Sequence, residues 1–284
     1  MIQSCTLSSI HNMKSRGFFM AKQPIVTGDI QENPILSGFE LLARLRPSGY
    51  AMTMPDVFMP ALSAKELINL DCLAFVTATE QVLAYKKEII VFNFNCSVKS
   101  LFNAEFVAYV LGRLSALSAR DRGRLVLEIT ETERIDELNP RKSWQILNAN
   151  VSRIAETGVR IAIDDFGCGN ACLTLLRNFP ISIIKYSKSV LNDCVSMYSE
   201  GASERDKIGL EIMRAIGTSI RKWGGDIIVE GVEHYSDIEP AKNLSANYFQ
   251  GHLFGAASSE LYAVGADKFD QRIEGKFSLE CHKA

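Results

Sequence analysis

The sequence is short of the residues that build many metal and redox centres. Its four histidines, at 11, 234, 252 and 282, are unpaired along the chain, and its seven cysteines, at 5, 72, 96, 168, 172, 194 and 281, form no CxxC pair. A zinc centre is therefore not expected. An odd, scattered set of cysteines fits a reducing compartment, so a cytoplasmic setting is expected, with Cys72 and Cys96 read as small core residues in apolar runs. Charge of one sign is lacking too. With 31 Lys and Arg against 33 Asp and Glu, the formal net charge is −2, which gives no long-range field for DNA, RNA or an anionic membrane. No apolar run reaches the roughly 18 residues of a membrane span, and no apolar signal-peptide core follows Lys14 and Arg16. Linkers rich in Pro, Gly or Ser are missing, as are internal repeats. One domain over 18–270 is expected, with 1–17 a loose leader and 271–284 a tail.

What is present is a chain of 284 residues, 47% hydrophobic, enough to bury one large core. Strand-like runs alternate with helical ones. Strands are expected at 17–26, 38–45, 88–97, 124–130, 159–165, 181–185 and 226–231, with 247–255 closing the series. Helical stretches are expected at 66–85, 106–116, 144–155, 171–177, 205–223 and 238–244. About eight strands alternating with helices imply a largely parallel sheet. An open doubly wound sheet usually carries a glycine-rich turn after its first strand, and "VTGDIQENPIL" is not one. Length and unit number favour a closed (β/α)8, TIM-like barrel.

Catalytic side chains of such a barrel sit at the C-terminal ends of its strands. The second strand carries Glu40 inside "FELLAR", and the ends of the later ones carry Asn95, Glu128, the pair Asp164 and Asp165, Lys185, Glu230 and Gln250. Each has a plainer reading when taken singly: an exposed acid, a helix N-cap at Asp164–Asp165, a surface lysine. Together they are a run of oxygen donors that would repel one another at one rim without a positive centre. Carboxylates with an amide carbonyl, lacking His and Cys, are hard ligands that select Mg²⁺ or Mn²⁺. Adjacent aspartates let one carboxylate bridge while its neighbour binds a second ion, the arrangement used for in-line phosphoester hydrolysis. Lys185 would hold a water or stabilise charge on phosphorus, and Arg44 is placed to grip a phosphate.

These fragments, in order, resemble the EAL domain, a bacterial cyclic di-GMP phosphodiesterase module. The resemblance covers about residues 18–258 and rests on "QPIV" (23–26), "ELLAR" (40–44), "NCS" (95–97), "LEITE" (127–131), "IDDFGCG" (163–169), "VEGVE" (229–233) and "YFQGHLFG" (248–255). It implies a barrel whose first strand is antiparallel to the rest, and hydrolysis of cyclic di-GMP to linear pGpG. It further implies that Glu40, Asn95, Glu128 and Asp164 bind a first metal, and that Asp164 and Asp165 contribute to a second. Lys185 and Glu230 would position water and metal, and Glu131 would steady the loop after Asp165. Arg44, Gln250 and Gln23 would meet the substrate, and the family context allows for a homodimer.

The chain departs from the family pattern after Lys185, where Tyr186–Ser187 replaces the usual Ile-Asp, and at 168–172, where Cys-Gly-Asn-Ala-Cys replaces Thr-Gly-Tyr-Ser-Ser. "GHLFGAA" also lacks the family's Ser and Pro. The first two departures keep open a second reading, a catalytically weak or silent EAL-like module that binds cyclic di-GMP or a protein partner. The tripeptide DFG also occurs in protein kinases. Here no G-x-G-x-x-G loop, V-A-I-K lysine or H-R-D accompanies it, which argues against that class.

Overall fold

A computed structural model describes residues 6–85, 90–129, 140–167, 172–196 and 204–259. Among the described residues there are eight strands: β1 (Phe18–Asp29), β2 (Asn33–Leu45), β3 (Val91–Cys96), β4 (Leu125–Ile129), β5 (Arg160–Phe166), β6 (Ile183–Tyr186), β7 (Asp226–Val229) and β8 (Tyr248–Gln250). They close in sequence order into a barrel. The α-helices described are α1 (Leu7–Ser15), α2 (Pro55–Phe58), α3 (Ala64–Ala84), α4 (Val98–Phe102), α5 (Ala104–Ser115), α6 (Ala119–Arg122), α7 (Pro140–Ala155), α8 (Cys172–Asn178), α9 (Lys188–Ser196), α10 (Glu204–Lys222) and α11 (Ile238–Asn243). The barrel class agrees with the sequence reading. So does the reversed first strand, since β1 pairs antiparallel with β8 while β7 pairs parallel with it.

By internal contacts the chain divides into two units, Met1–Ala21 with Leu41–Ile163 and Gly169–Ile181, and Lys22–Glu40 with Asp164–Cys168 and Ser182–Ala284. In the first, β3, β4 and the start of β5 run parallel, and every residue of β4 is buried. Burial on both faces is why "LVLEI" reads as a continuous apolar run broken only by its glutamate. Helix α3 packs on β3, with the rings of Phe75 and Phe94 5.6 Å apart. It begins at a capping box: Ser63 Oγ accepts from the Glu66 backbone N–H, and the Glu66 carboxylate accepts from the Ser63 N–H. By length and composition α3 resembles a membrane span, yet it is buried along most of its length as the core helix of this unit. Its C-terminal end is met by buried Arg124, which donates to the carbonyls of Val82 and the C-cap Tyr85, and also to that of Ile90 just before β3.

Residues 7–15, inside the stretch read as a leader, form helix α1. A second capping box, Thr6 with Ser9, starts it; Ile10 and Met13 are its buried residues, and it packs against α3. The cysteines divide as well. Cys96 and Cys194 are thiols, whereas buried Cys72 is disulfide-bonded. Cys72 is thus the core residue the sequence reading has it as, but paired rather than a thiol; pairing depends on which sulfurs the fold brings together, which spacing alone does not give.

In the second unit β6 and β7 run parallel, with Ile184 opposite Ile227 and Lys185 opposite Ile228. Strand β1 continues to Asp29, beyond its expected end. There the Asp29 carboxylate accepts from the backbone N–H groups of Gln31 and Glu32, an Asx turn that returns the chain into β2.

Candidate functional site

Strand β6 supplies the centre of the site. All four of its residues are buried, including Lys185, whose side chain is 0% exposed. Its ammonium lies 3.1 Å from Glu40 Oε2, 3.0 Å from Asp164 Oδ1 and 2.7 Å from Glu230 Oε1. Residues far apart in sequence, in the middle of β2, on β5 and just after β7, thus meet around one cation. The lysine read singly as a surface charge is, among the described residues of this unit, the most enclosed charge.

One ammonium among three carboxylates leaves the centre acidic. Burial pushes the Asp164 carboxyl above its ordinary range; Lys185 pulls it down, while Glu40 and Asp165 push it further up. Burial likewise raises Glu230, to about 8, against the opposing pull of Lys185. A second cation in this centre would oppose the burial and the carboxylate repulsion that raise both groups. The donors present are suited to one, since Asp164, Asp165 and Glu230 each offer a carboxylate oxygen within 4.8 Å of the others. Oxygen donors of this kind fit a hard divalent ion.

The two adjacent aspartates reach this cluster through a break in strand geometry. Successive side chains of a regular strand point to opposite faces. Asp165 has φ 51°, in the left-handed region that few non-glycine residues occupy, although Asp tolerates it better than most. Phe166 then returns to the core beside Tyr186, ring centroids 5.8 Å apart. Gly167 follows with φ 102°, where an added Cβ would lie 2.7 Å from Val190 Cγ2. Tyr186 donates its hydroxyl to the Met213 carbonyl of α10 at 2.6 Å. Ser187, at the family's Asp position, is buried, shares a 2.9 Å hydrogen bond with Ser189 and immediately precedes α9.

Gln250 on β8 donates to Glu40 Oε2 at 2.6 Å and to Gln23 Oε1 at 3.1 Å, which ties two residues expected to meet substrate to a residue expected to bind metal. In the first unit Asn95 and Glu128 are register partners on β3 and β4. Glu128 is fully buried and accepts a hydrogen bond from Asn93 Nδ2 at 2.7 Å. The turn after Asn95 is pinned by buried Asp71, whose Oδ2 accepts from Ser97 N–H, Ser97 Oγ and Ser100 Oγ. Arg44 is buried and donates to the Ala43 carbonyl at 2.8 Å. Glu131 and the 168–171 segment lie outside the described residues. Sequence reasoning passed over Asn93 and Asp71. For Asn93 a signal existed, a polar residue in an apolar strand, two positions before Asn95 and so on the same face.

The comparisons with known proteins agree with the fold. The family model of the EAL domain matches residues 9–257. The cyclic di-GMP phosphodiesterase PdeL of Escherichia coli K12 is 29% identical over 224 residues, 78% of this chain and 58% of that protein, so the chain spans somewhat over half the length of this relative. The solved EAL domain protein of Listeria monocytogenes superposes with a TM-score of 0.72 at 20% identity, over 98% of this chain and 100% of that one. The FimX EAL domain from Pseudomonas aeruginosa, bound to c-di-GMP, gives 0.66 at 18%, over 92% and 99%. At these identities the two structures speak for the fold.

Proposed function

Because the chain belongs to the EAL domain family, we propose that it is a metal-dependent phosphodiesterase that hydrolyses cyclic di-GMP to linear pGpG. The observation that carries this reading is the ring of Glu40, Asp164 and Glu230 around buried Lys185. Glu40, Asn95, Glu128 and Asp164 would hold one Mg²⁺ or Mn²⁺, and Asp164 with Asp165 would contribute to a second. A divalent ion there supplies Lewis acidity and activation of water at neutral pH.

The chain's own groups divide the remaining tasks. Lys185 holds the carboxylates in place with its three ammonium protons and would set a positive charge near the negative charge on the phosphodiester. Glu230, beside it, orients a water. Arg44 would contribute a guanidinium to a phosphate oxygen. Gln250 and Gln23 would present amide groups to the substrate, and Glu131 would steady the loop after Asp165. A homodimer in the cytoplasm is the setting proposed. The test is incubation of the folded protein with cyclic di-GMP and Mg²⁺ or Mn²⁺, with products separated by chromatography. pGpG is expected; folded protein that yields none at high concentration overturns the reading.

A second reading is favoured by Ser187. Without a carboxylate at that position, the chain would hold cyclic di-GMP and turn it over slowly or not at all. Calorimetric titration that shows tight binding while no pGpG forms would select this reading over the first.

A further inference from the structure

We propose that Asn93 is a positioning residue for the metal site, its side-chain amide fixing the carboxylate of Glu128. The inference rests on the reading of Glu128 as a metal ligand. On the paired strands Asn93 stands opposite Val126 and Asn95 opposite Glu128. Side chains two residues apart share a face, so Asn93 lies one step below Asn95 and diagonal to Glu128. Both partners are enclosed, Asn93 at 1% exposure and Glu128 at 0%, and Nδ2 is 2.7 Å from Oε1. The amide has one tenable orientation here. Turned over, its carbonyl oxygen would face a carboxylate oxygen with no proton between them.

The chemistry of this donor suits a metal ligand. A buried carboxylate without a donor rotates about its side-chain torsions or takes up a proton, and either change removes a prepared ligand atom. A lysine in the place of Asn93 would hold the carboxylate but would cancel the charge that attracts a cation. A neutral amide N–H holds the same oxygen and leaves its charge intact. Groups that hydrogen-bond metal ligands in this way set the orientation of the ligand and the affinity of the site. Lys185 performs the charged version of this task for Glu40, Asp164 and Glu230; Asn93 performs the neutral version for Glu128.

The test is calorimetric titration of Mn²⁺ alone into the metal-free full chain, for the unmodified protein, Asn93→Leu and Asn93→Ser. Leucine keeps the volume and the apolar packing but has no donor. Asn93→Leu is expected to weaken Mn²⁺ binding about 10–100-fold while the variant melts cooperatively. The same substitution in a Glu128→Gln background is expected to change Mn²⁺ affinity little, because the carboxylate it positions is gone. Should Asn93→Leu fail to fold, Asn93→Ser, whose hydroxyl is too short to span the same gap, is read in the same titration with the same expectation. Unchanged Mn²⁺ affinity in a folded Asn93 variant overturns this inference alone and marks Asn93 as a packing residue. If the unmodified protein binds no Mn²⁺, the metal reading falls and this inference falls with it.

Discussion

Replacing Lys185 with methionine keeps an unbranched side chain, one atom shorter, and removes its charge. Three carboxylate oxygens lie between 2.7 and 3.1 Å from that ammonium. At an effective dielectric constant of about 20 each such pair is worth roughly 5 kcal/mol of gross attraction. Desolvation of the four ions, several kcal/mol apiece, offsets most of this. Removal of one partner is costlier than the net worth of the cluster, because it leaves buried carboxylates facing one another; about 3–5 kcal/mol is the expected loss. For a chain of this size that is a fall in Tm of roughly 6–15 °C. The assay is a thermal melt of both proteins in chelator and again in excess Mn²⁺. The deficit should be largest in chelator and smaller with Mn²⁺, since a divalent ion would neutralise the same carboxylates. A Lys185→Met protein that melts with the unmodified one in chelator would refute the idea that this lysine holds the acidic centre together.

Two further perturbations probe other levels of the structure. The Glu66 carboxyl is held down to about 2 by hydrogen bonds from Ser63, with Arg16 adding to the effect; a depressed folded value contributes stability above the unfolded value, near 4.5, that is lost as pH falls from there toward 2. Glu66→Ala should therefore cost about 1 kcal/mol at pH 7, most of the shift being discounted for solvent exposure, and urea midpoints of the two proteins should converge toward pH 2; a constant gap would refute the assignment. Ser187→Asp, which restores the family's carboxylate, should lower the Mg²⁺ concentration needed for half-maximal pGpG formation, and unchanged metal dependence would show that position 187 has no part in cation binding here.

The barrel and the acidic centre were readable in the sequence because both rest on local pattern. Apolar β-prone runs such as "RLVLEIT" and "VRIAIDD" announce strands, and the acids stand out against them, at or near the strand ends except for Glu40, which lies in the middle of β2. Tertiary partnership was less visible. Asp71 and Asn93 look like ordinary polar residues until burial and register show what each faces. Helix α1 was missed because its sequence is mixed, and its start is set by a Thr6–Ser9 box that lacks the usual Glu or Gln. The disulfide at Cys72 has no local signature at all. The side-by-side aspartates posed a question that only backbone geometry answers. A regular strand would send them to opposite faces, and the left-handed turn at Asp165 brings their carboxylates to one cluster.

The most direct test of the account is a crystal of the full chain soaked with Mn²⁺ and measured for anomalous scattering. The account predicts a peak bonded to a carboxylate oxygen of Asp164, at about 2.1–2.2 Å, with Glu40 and Glu128 among its other ligands. A well-ordered Asp164 with no anomalous density beside it, in crystals saturated with Mn²⁺, would contradict it.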